Sequence, residues 1–188
     1  FLVIYIDFLC FHVFWGIWGG FWNLVKTHKT KKLLNLEKMK ILISKFPKIL
    51  HQTWTSHKSF PKHFENNLKS CLDLHQTWEY KFHSDDDNYK LIQKHFKKYL
   101  PQYEKLAKIK QSDVARLAIL YVFGGVYLDL DVECVRPFDE ILFAADDVGV
   151  GVVLGVENEL HTVLLEDREN PMVSNAVIVA TAGYIYIY

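Results

Sequence analysis

The chain has 188 residues, room for one domain of ordinary size, and half of them are hydrophobic with 15% aromatic, enough for a sizeable core. Its 22 basic and 22 acidic residues cancel, so no overall charge recommends a nucleic-acid partner and any anion site must be local. The three cysteines, Cys10, Cys71 and Cys134, are odd in number and lack C-x-x-C spacing, which indicates neither a disulfide framework nor a zinc site and leaves buried thiols as the expectation.

Phe1 to Val25 is strongly apolar, and from Phe8 to Val25 there is no Asp, Glu, Lys or Arg. That run is about the minimum for a membrane-spanning helix. Lys26, Lys29, Lys31 and Lys32 follow it, a flank that would hold what comes next on the cytosolic side. Two readings of residues 1–38 stay open. One is an N-terminal membrane anchor, which would place the protein in the Golgi or another endomembrane. The other is upstream sequence ahead of a start at Met39, absent from the working protein.

A folded domain is expected over residues 46–183. Lys48 to Thr53 reads as a short strand running into His51-Gln52-Thr53-Trp54. Pro61 suits the start of a helix on which Phe64, Leu68, Cys71 and Leu72 recur at helical spacing up to about Leu74. Trp78, Tyr80 and Phe82 alternate as a strand does. Ser84 is placed as a helix cap, with Asp85, Asp86 and Asp87 in the favourable first turn. The helix, about Asp86 to Tyr99, turns Leu91, Ile92, His95, Phe96 and Tyr99 inward and ends at Pro101.

Ser112 to Phe123 is the next helix. Val114, Leu117, Ala118, Ile119, Leu120, Tyr121 and Val122 leave it almost no polar side, so it should be buried. Its only charges, Asp113 and Arg116, are three apart and share a face near its start. A buried charge needs a partner. The pair is therefore either a structural ion pair or the lining of a polar ligand site. Gly124 ends the helix, and a strand leaves through Gly125.

Along that strand Val126, Leu128 and Leu130 share one face, and Tyr127, Asp129 and Asp131 the other. Two residues of strand span about 6.6 Å. Two carboxylates so placed suit one hard cation, or a cation on one and a hydroxyl on the other. Such cations leave positions for substrate phosphates. Val148 to Val156 and Ala176 to Ala180 read as further strands, and helices alternating with strands indicate an α/β sheet.

Three segments carry a family resemblance. Phe46-Pro47-Lys48-Ile49-Leu50-His51-Gln52-Thr53-Trp54 resembles the opening of sugar transferases with the DXD motif, the glycosyltransferase family 32 group. Asp113-Val114-Ala115-Arg116, followed by Leu120 to Asp131, resembles that family's D-x-x-R and G-G-x-Y-x-D-x-D block. Asn170 to Ala176 resembles a downstream segment that runs on into Gly-His-Pro, where this chain has Gly183-Tyr184-Ile185. The resemblance implies a GT-A fold, a Rossmann-like α/β nucleotide-sugar-binding sheet, here incomplete at its C-terminus. It implies a metal-dependent hexosyltransferase that moves a hexose, with mannose from GDP-mannose favoured, to a glycan or sphingolipid-type acceptor with retention. The cofactor would be Mn²⁺ or Mg²⁺, ligated by Asp131 with Asp129 beside it. Asp113 and Arg116 would hold the donor sugar, Tyr127 would pack beside it, and His51, Gln52 and Thr53 would lie near the nucleotide, with Asn175 a further contact.

Two other readings compete. Val126 to Val132 also fits the strand and D-x-D-x-V start of haloacid-dehalogenase-like phosphatases, in which the first Asp is a nucleophile. That chemistry needs a downstream lysine, and none follows Asp131. The second competitor is a truncated, inactive relative that only binds a nucleotide sugar. Glu133 reads as a solvated acid.

Overall fold

The computed structural model describes residues 2–3, 44–156 and 172–184. The expected N-terminal anchor apart from Leu2–Val3, the alternative start at Met39, the Asn170-Pro171 portion of the third motif and the final residues 185–188 lie outside them. The chain divides into two compact units, one of residues 1–7 with 44–188 and one of residues 8–43, and the architecture below belongs to the first.

That unit is a mixed α/β sheet. In chain order its elements are β1 (Leu2–Val3), β2 (Ile49–Trp54), α1 (Glu65–Leu74), β3 (Glu79–Ser84), α2 (Asp85–His95), α3 (Leu100–Glu104), α4 (Lys108–Phe123), β4 (Gly125–Leu128), α5 (Asp139–Asp147), β5 (Val152–Val156) and β6 (Val173–Ala180). The strands lie in the order β1-β5-β6-β4-β2-β3. β2 pairs in parallel with β3 and β4, while β6 runs antiparallel between β4 and β5. Leu120 of α4, Tyr127, Val152, Ile178 and Ala180 form one core cluster. A second joins Leu91 and Ile92 of α2 to Tyr103 and Ala118.

Several local expectations hold for their stated reasons. Ser84 caps α2 with its hydroxyl accepting from the Asp87 amide, and the Asp87 carboxylate returns the bond to the Ser84 amide. Others are corrected. α2 stops at His95, and Pro101 opens α3 instead of ending a helix, because proline is tolerated in a first turn where the amide would be unpaired anyway. His95 and Tyr99 are consequently exposed. α4 starts at Lys108, before the apolar run, and Tyr121 shows on its outer side. β4 ends at Leu128, and the chain turns at Leu130 and Asp131. The cysteine expectation is also overturned: Cys71 of α1 and Cys134 form a disulfide. They are 63 residues apart, and α1 packing beside the chain leaving β4 brings them together.

Gly124 and Gly125 make the helix-to-strand corner that positions everything below. Their φ angles are 64° and 98°. A Cβ on Gly125 would stand 2.6 Å from the Ile49 carbonyl oxygen, and one on Gly124 2.7 Å from the Ala182 nitrogen. Only glycine takes both the backbone angle and the contact. The corner sends β4 back along α4, so the first turns of α4 stand beside the C-terminal end of β4.

Candidate active site

In open α/β sheets the crevice outside the carboxyl ends of the strands, where the strand order changes direction, is the usual ligand site. Here that place lies between β2 and β4, since the chain moves outward from β2 to β3 and returns on the other side with β4. The two carboxylates of the D-x-D sequence emerge there.

Arg116 is the centre of the site. It is 6% exposed. Its Nη1 lies 3.1 Å from Asp129 Oδ1 and 3.2 Å from Oδ2, and donates to the Asn175 carbonyl at 2.8 Å. Its Nη2 lies 3.0 Å from Asp113 Oδ1. The Asn175 side-chain amide donates to the same Asp113 oxygen at 3.1 Å. The Tyr127 hydroxyl donates to Asp129 Oδ1 at 2.8 Å, and the guanidinium sits 5.0 Å from the Tyr127 ring centre. Thus α4, β4 and β6 each contribute to one network, and Asp113, Arg116, Tyr127, Asp129 and Asn175 come together. One guanidinium faces two carboxylates, whose side chains are 44% and 30% exposed, so the network has an open edge.

The electrostatics follow from this packing. Burial raises the Asp129 carboxyl above the usual carboxylate range, Asp131 adds to that, and Arg116 and the Tyr127 hydroxyl oppose it. Burial, reinforced by Asp129, pushes the Tyr127 phenol far up, so it stays a hydrogen-bond donor.

Asp131 is different. The Val132 amide closes a turn onto the Asp129 carbonyl at 3.2 Å, so Asp129 and Asp131 do not lie on one continuing strand face as the alternation suggested. Asp131 is exposed, and no hydrogen bond or ion pair engages it among the described residues. Glu133 is exposed as well. No cluster of three or more His, Cys, Asp or Glu among the described residues forms a ready-made metal cage. A Mg²⁺-like ion does not require one, because it takes one or two carboxylates and fills its shell from substrate phosphates and water. The unengaged Asp131 carboxylate fits that role. Asp129 fits less directly, as both its oxygens already serve Arg116 and Tyr127.

The β2 candidates divide. Gln52 reaches the network, its amide 3.4 Å from the Asp129 carbonyl while its own oxygen accepts from Tyr80 at 3.1 Å. His51 is fully buried, its ring stacked on Phe123 at the end of α4. Its Nε2 must donate to the Gly124 carbonyl at 2.9 Å, so its Nδ1 accepts from His83 Nε2 at 3.0 Å. Burial, then His83, lowers its pKa to about 3. Thr53 donates to the His83 carbonyl at 3.0 Å and accepts from Asn88 at 2.7 Å. His51 and Thr53 thus brace the sheet, and only Gln52 touches the Asp129 end.

Sequence reasoning missed Asn67 and Ser70 of α1. The Asn67 amide donates to the Leu130 carbonyl at 3.2 Å, and the Ser70 hydroxyl accepts from the Cys134 amide at 2.9 Å. Neither residue lies in a motif, and nothing in their spacing signals the contact.

Residues 61–146 match the family described as "Glycosyltransferase sugar-binding region containing DXD motif". The chain is 41% identical over 97 residues to Inositol phosphoceramide mannosyltransferase 3 of Schizosaccharomyces pombe, covering 51% of this chain and 27% of that protein. It is 34% identical over 115 residues to Mannosyl phosphorylinositol ceramide synthase SUR1 of Saccharomyces cerevisiae, covering 61% and 30%. The chain thus spans less than a third of the length of either relative. Among solved structures, PaToxG Glycosyltransferase superposes with a TM-score of 0.45 at 18% identity over 74% of this chain and 56% of that one, too loosely to carry an argument.

Proposed function

We infer that this chain, which carries the sugar-binding region of a DXD-motif glycosyltransferase, is the donor-binding part of a metal-dependent hexosyltransferase of GT-A type. It takes mannose from GDP-mannose and transfers it, with retention, to a sphingolipid-type or other glycan-bearing acceptor. The observation that carries this reading is the Arg116 network at the carboxyl end of β4, with an unengaged Asp131 beside it. The names of the two relatives, an inositol phosphoceramide mannosyltransferase and a mannosyl phosphorylinositol ceramide synthase, support the sugar and the lipid acceptor.

In this reading Asp113 and Arg116 hold the donor hexose through its hydroxyls, and Asn175 fixes the Asp113 carboxylate for that task. Asp131 holds Mn²⁺ or Mg²⁺ with Asp129 in the surrounding shell. The ion, when bound, stabilises the negative charge that gathers on the departing diphosphate. Tyr127 keeps its proton and orients Asp129. Asp129 has both oxygens engaged, which ill suits a covalent nucleophile and supports attack by the acceptor hydroxyl from the donor's own face. The same engagement disfavours the phosphatase alternative, in which this carboxylate would attack. The Cys71–Cys134 disulfide supports an oxidising compartment such as the Golgi lumen. No helix among the described residues is long and apolar enough to cross a membrane.

Titration calorimetry with GDP-mannose, UDP-glucose and UDP-galactose, each with Mn²⁺, Mg²⁺ or EDTA, tests the donor claim. The expected result is cation-dependent binding of GDP-mannose. If no nucleotide sugar binds with either ion, the reading is wrong. Binding without hydrolysis or transfer would leave a nucleotide-sugar-binding relative and remove the enzyme.

A further inference from the structure

The turn that presents Asp131 receives little support from the sheet. The last sheet bond on this segment is the Asp129 amide to the Ala176 carbonyl at 2.8 Å, and beyond it the chain leaves the ladder. Support comes from the other side. Asn67, Ser70 and Cys71 stand at i, i+3 and i+4 of α1, hence on one face of that helix. Asn67 holds the Leu130 carbonyl at 3.2 Å, just before Asp131. Ser70 holds the Cys134 amide at 2.9 Å, and its hydroxyl donates back to the Asn67 carbonyl at 2.7 Å. Cys71 is covalently joined to Cys134. Leu130, Val132 and Cys134 are buried, and Asp131 and Glu133 between them point outward. One helix face therefore pins the loop before and after the exposed carboxylate.

We propose that Asn67, Ser70 and the Cys71–Cys134 disulfide are positioning residues that fix the Asp131 carboxylate for a divalent cation and its diphosphate. The inference rests on the donor-site reading of Asp131. An exposed loop left to itself samples many placements of its carboxylate, and ordering it on binding draws on the binding energy. A ligand already held by its surroundings avoids that loss, as metal sites whose supporting contacts are in place do. Because one of the three restraints is a disulfide, the site works best in its oxidised form.

The test uses the whole chain, with Mn²⁺ and GDP as probes. Free Mn²⁺ is followed by electron paramagnetic resonance, and amide hydrogen exchange is read over residues 129–134. The variants are Asn67→Ala and the double variant Cys71→Ala/Cys134→Ala. The proposal expects Asn67→Ala to weaken Mn²⁺ binding in the presence of GDP by about tenfold and to speed exchange in residues 129–134, with exchange in β2 and β4 unchanged. The double variant should do the same more strongly. Wild-type Mn²⁺ affinity retained in a folded Asn67→Ala protein overturns the proposal. If the unaltered protein itself binds no Mn²⁺ with GDP, the donor-site reading has failed. The exchange arm then decides alone: unchanged protection in Asn67→Ala overturns the clamp, and faster exchange confined to the loop supports it.

Discussion

One guanidinium carries two carboxylates and a carbonyl, and that arrangement predicts what single substitutions do. Arg116→Met leaves the half-buried Asp129 without its cation and strands the Asn175 carbonyl. Removing one partner of a buried pair is harsher than removing both. Urea denaturation should show a loss of about 2–4 kcal/mol, discounted for the partial exposure of Asp129. Nucleotide-sugar binding should disappear with it. Asp131→Ala should behave oppositely. The side chain is exposed and unengaged among the described residues, so stability should stay within about 0.5 kcal/mol, while cation-dependent donor binding is lost. Undiminished Mn²⁺-dependent affinity in Asp131→Ala would remove Asp131 from the metal role. At this scale the sequence was informative about membership and less so about duty. The three-residue spacing put Asp113 and Arg116 on one face, and the ion-pair reading holds, with Arg116 pairing with Asp113 and also with Asp129 at the end of β4. That Asp129 is held by Arg116 and Tyr127 while Asp131 turns outward was illegible, because it depends on where the strand stops.

Elements add a constraint that the side chains do not carry. The corner at Gly124 and Gly125 has to let α4 fold back beside β4, or Arg116 cannot meet Asp129. Gly125→Ala places a methyl 2.6 Å from the Ile49 carbonyl oxygen in a φ region hostile to side chains. It should separate β2 from β4, with a loss above about 3 kcal/mol or failure to fold. Gly183→Ala is the matched control, with a φ of 74° and open space around its Cβ, and should lose only about 1 kcal/mol. Equal thermal midpoints for the two variants would show that close approach at the corner is not what matters. The glycines, the capped start of α2 and the apolar run of α4 were readable because each obeys a local rule. The α3 helix with Pro101 in its first turn, the α5 helix and the turn after Leu128 were not. Proline begins a helix as readily as it ends one, and an alternating pattern continues past a strand's last hydrogen bond. The disulfide was out of reach for another reason, since a thiol on a helix and one on a distant loop announce nothing until the two segments pack.

For the molecule as a whole, the buried His51–His83 pair makes stability depend on acid. Burial lowers His51 to about 3 and His83 to about 4, from an ordinary 6.5. The unfolded chain therefore takes up these protons first, and stability rises with pH where it does so. Their contribution is complete above about pH 6.5 and drains away as pH falls toward 4, at up to about 1.4 kcal/mol per pH unit for each histidine. Chemical denaturation at pH 7 and pH 5 should show a clear drop, and His51→Gln should flatten it. A midpoint that stays constant across that range would contradict the buried neutral pair. The α/β class was legible from alternation alone. The strand order was not, because antiparallel insertion of β6 between β4 and β5 joins segments that are distant in the chain.

That insertion has a consequence for how the protein is made. β4 pairs on one side with β2, already synthesised, but its other edge waits for Val177 to Ala180. Until those residues leave the ribosome, Val126 and Leu128 border an unsatisfied sheet edge, the kind of surface that recruits foreign strands. The Asn175 carbonyl that Arg116 grips and the Ala176 carbonyl that holds the Asp129 amide arrive with the same strand. Assembly of the site is thus coupled to closure of the sheet. A nascent chain halted before Val173 would carry every residue of the D-x-D motif and still lack the geometry that gives the motif meaning.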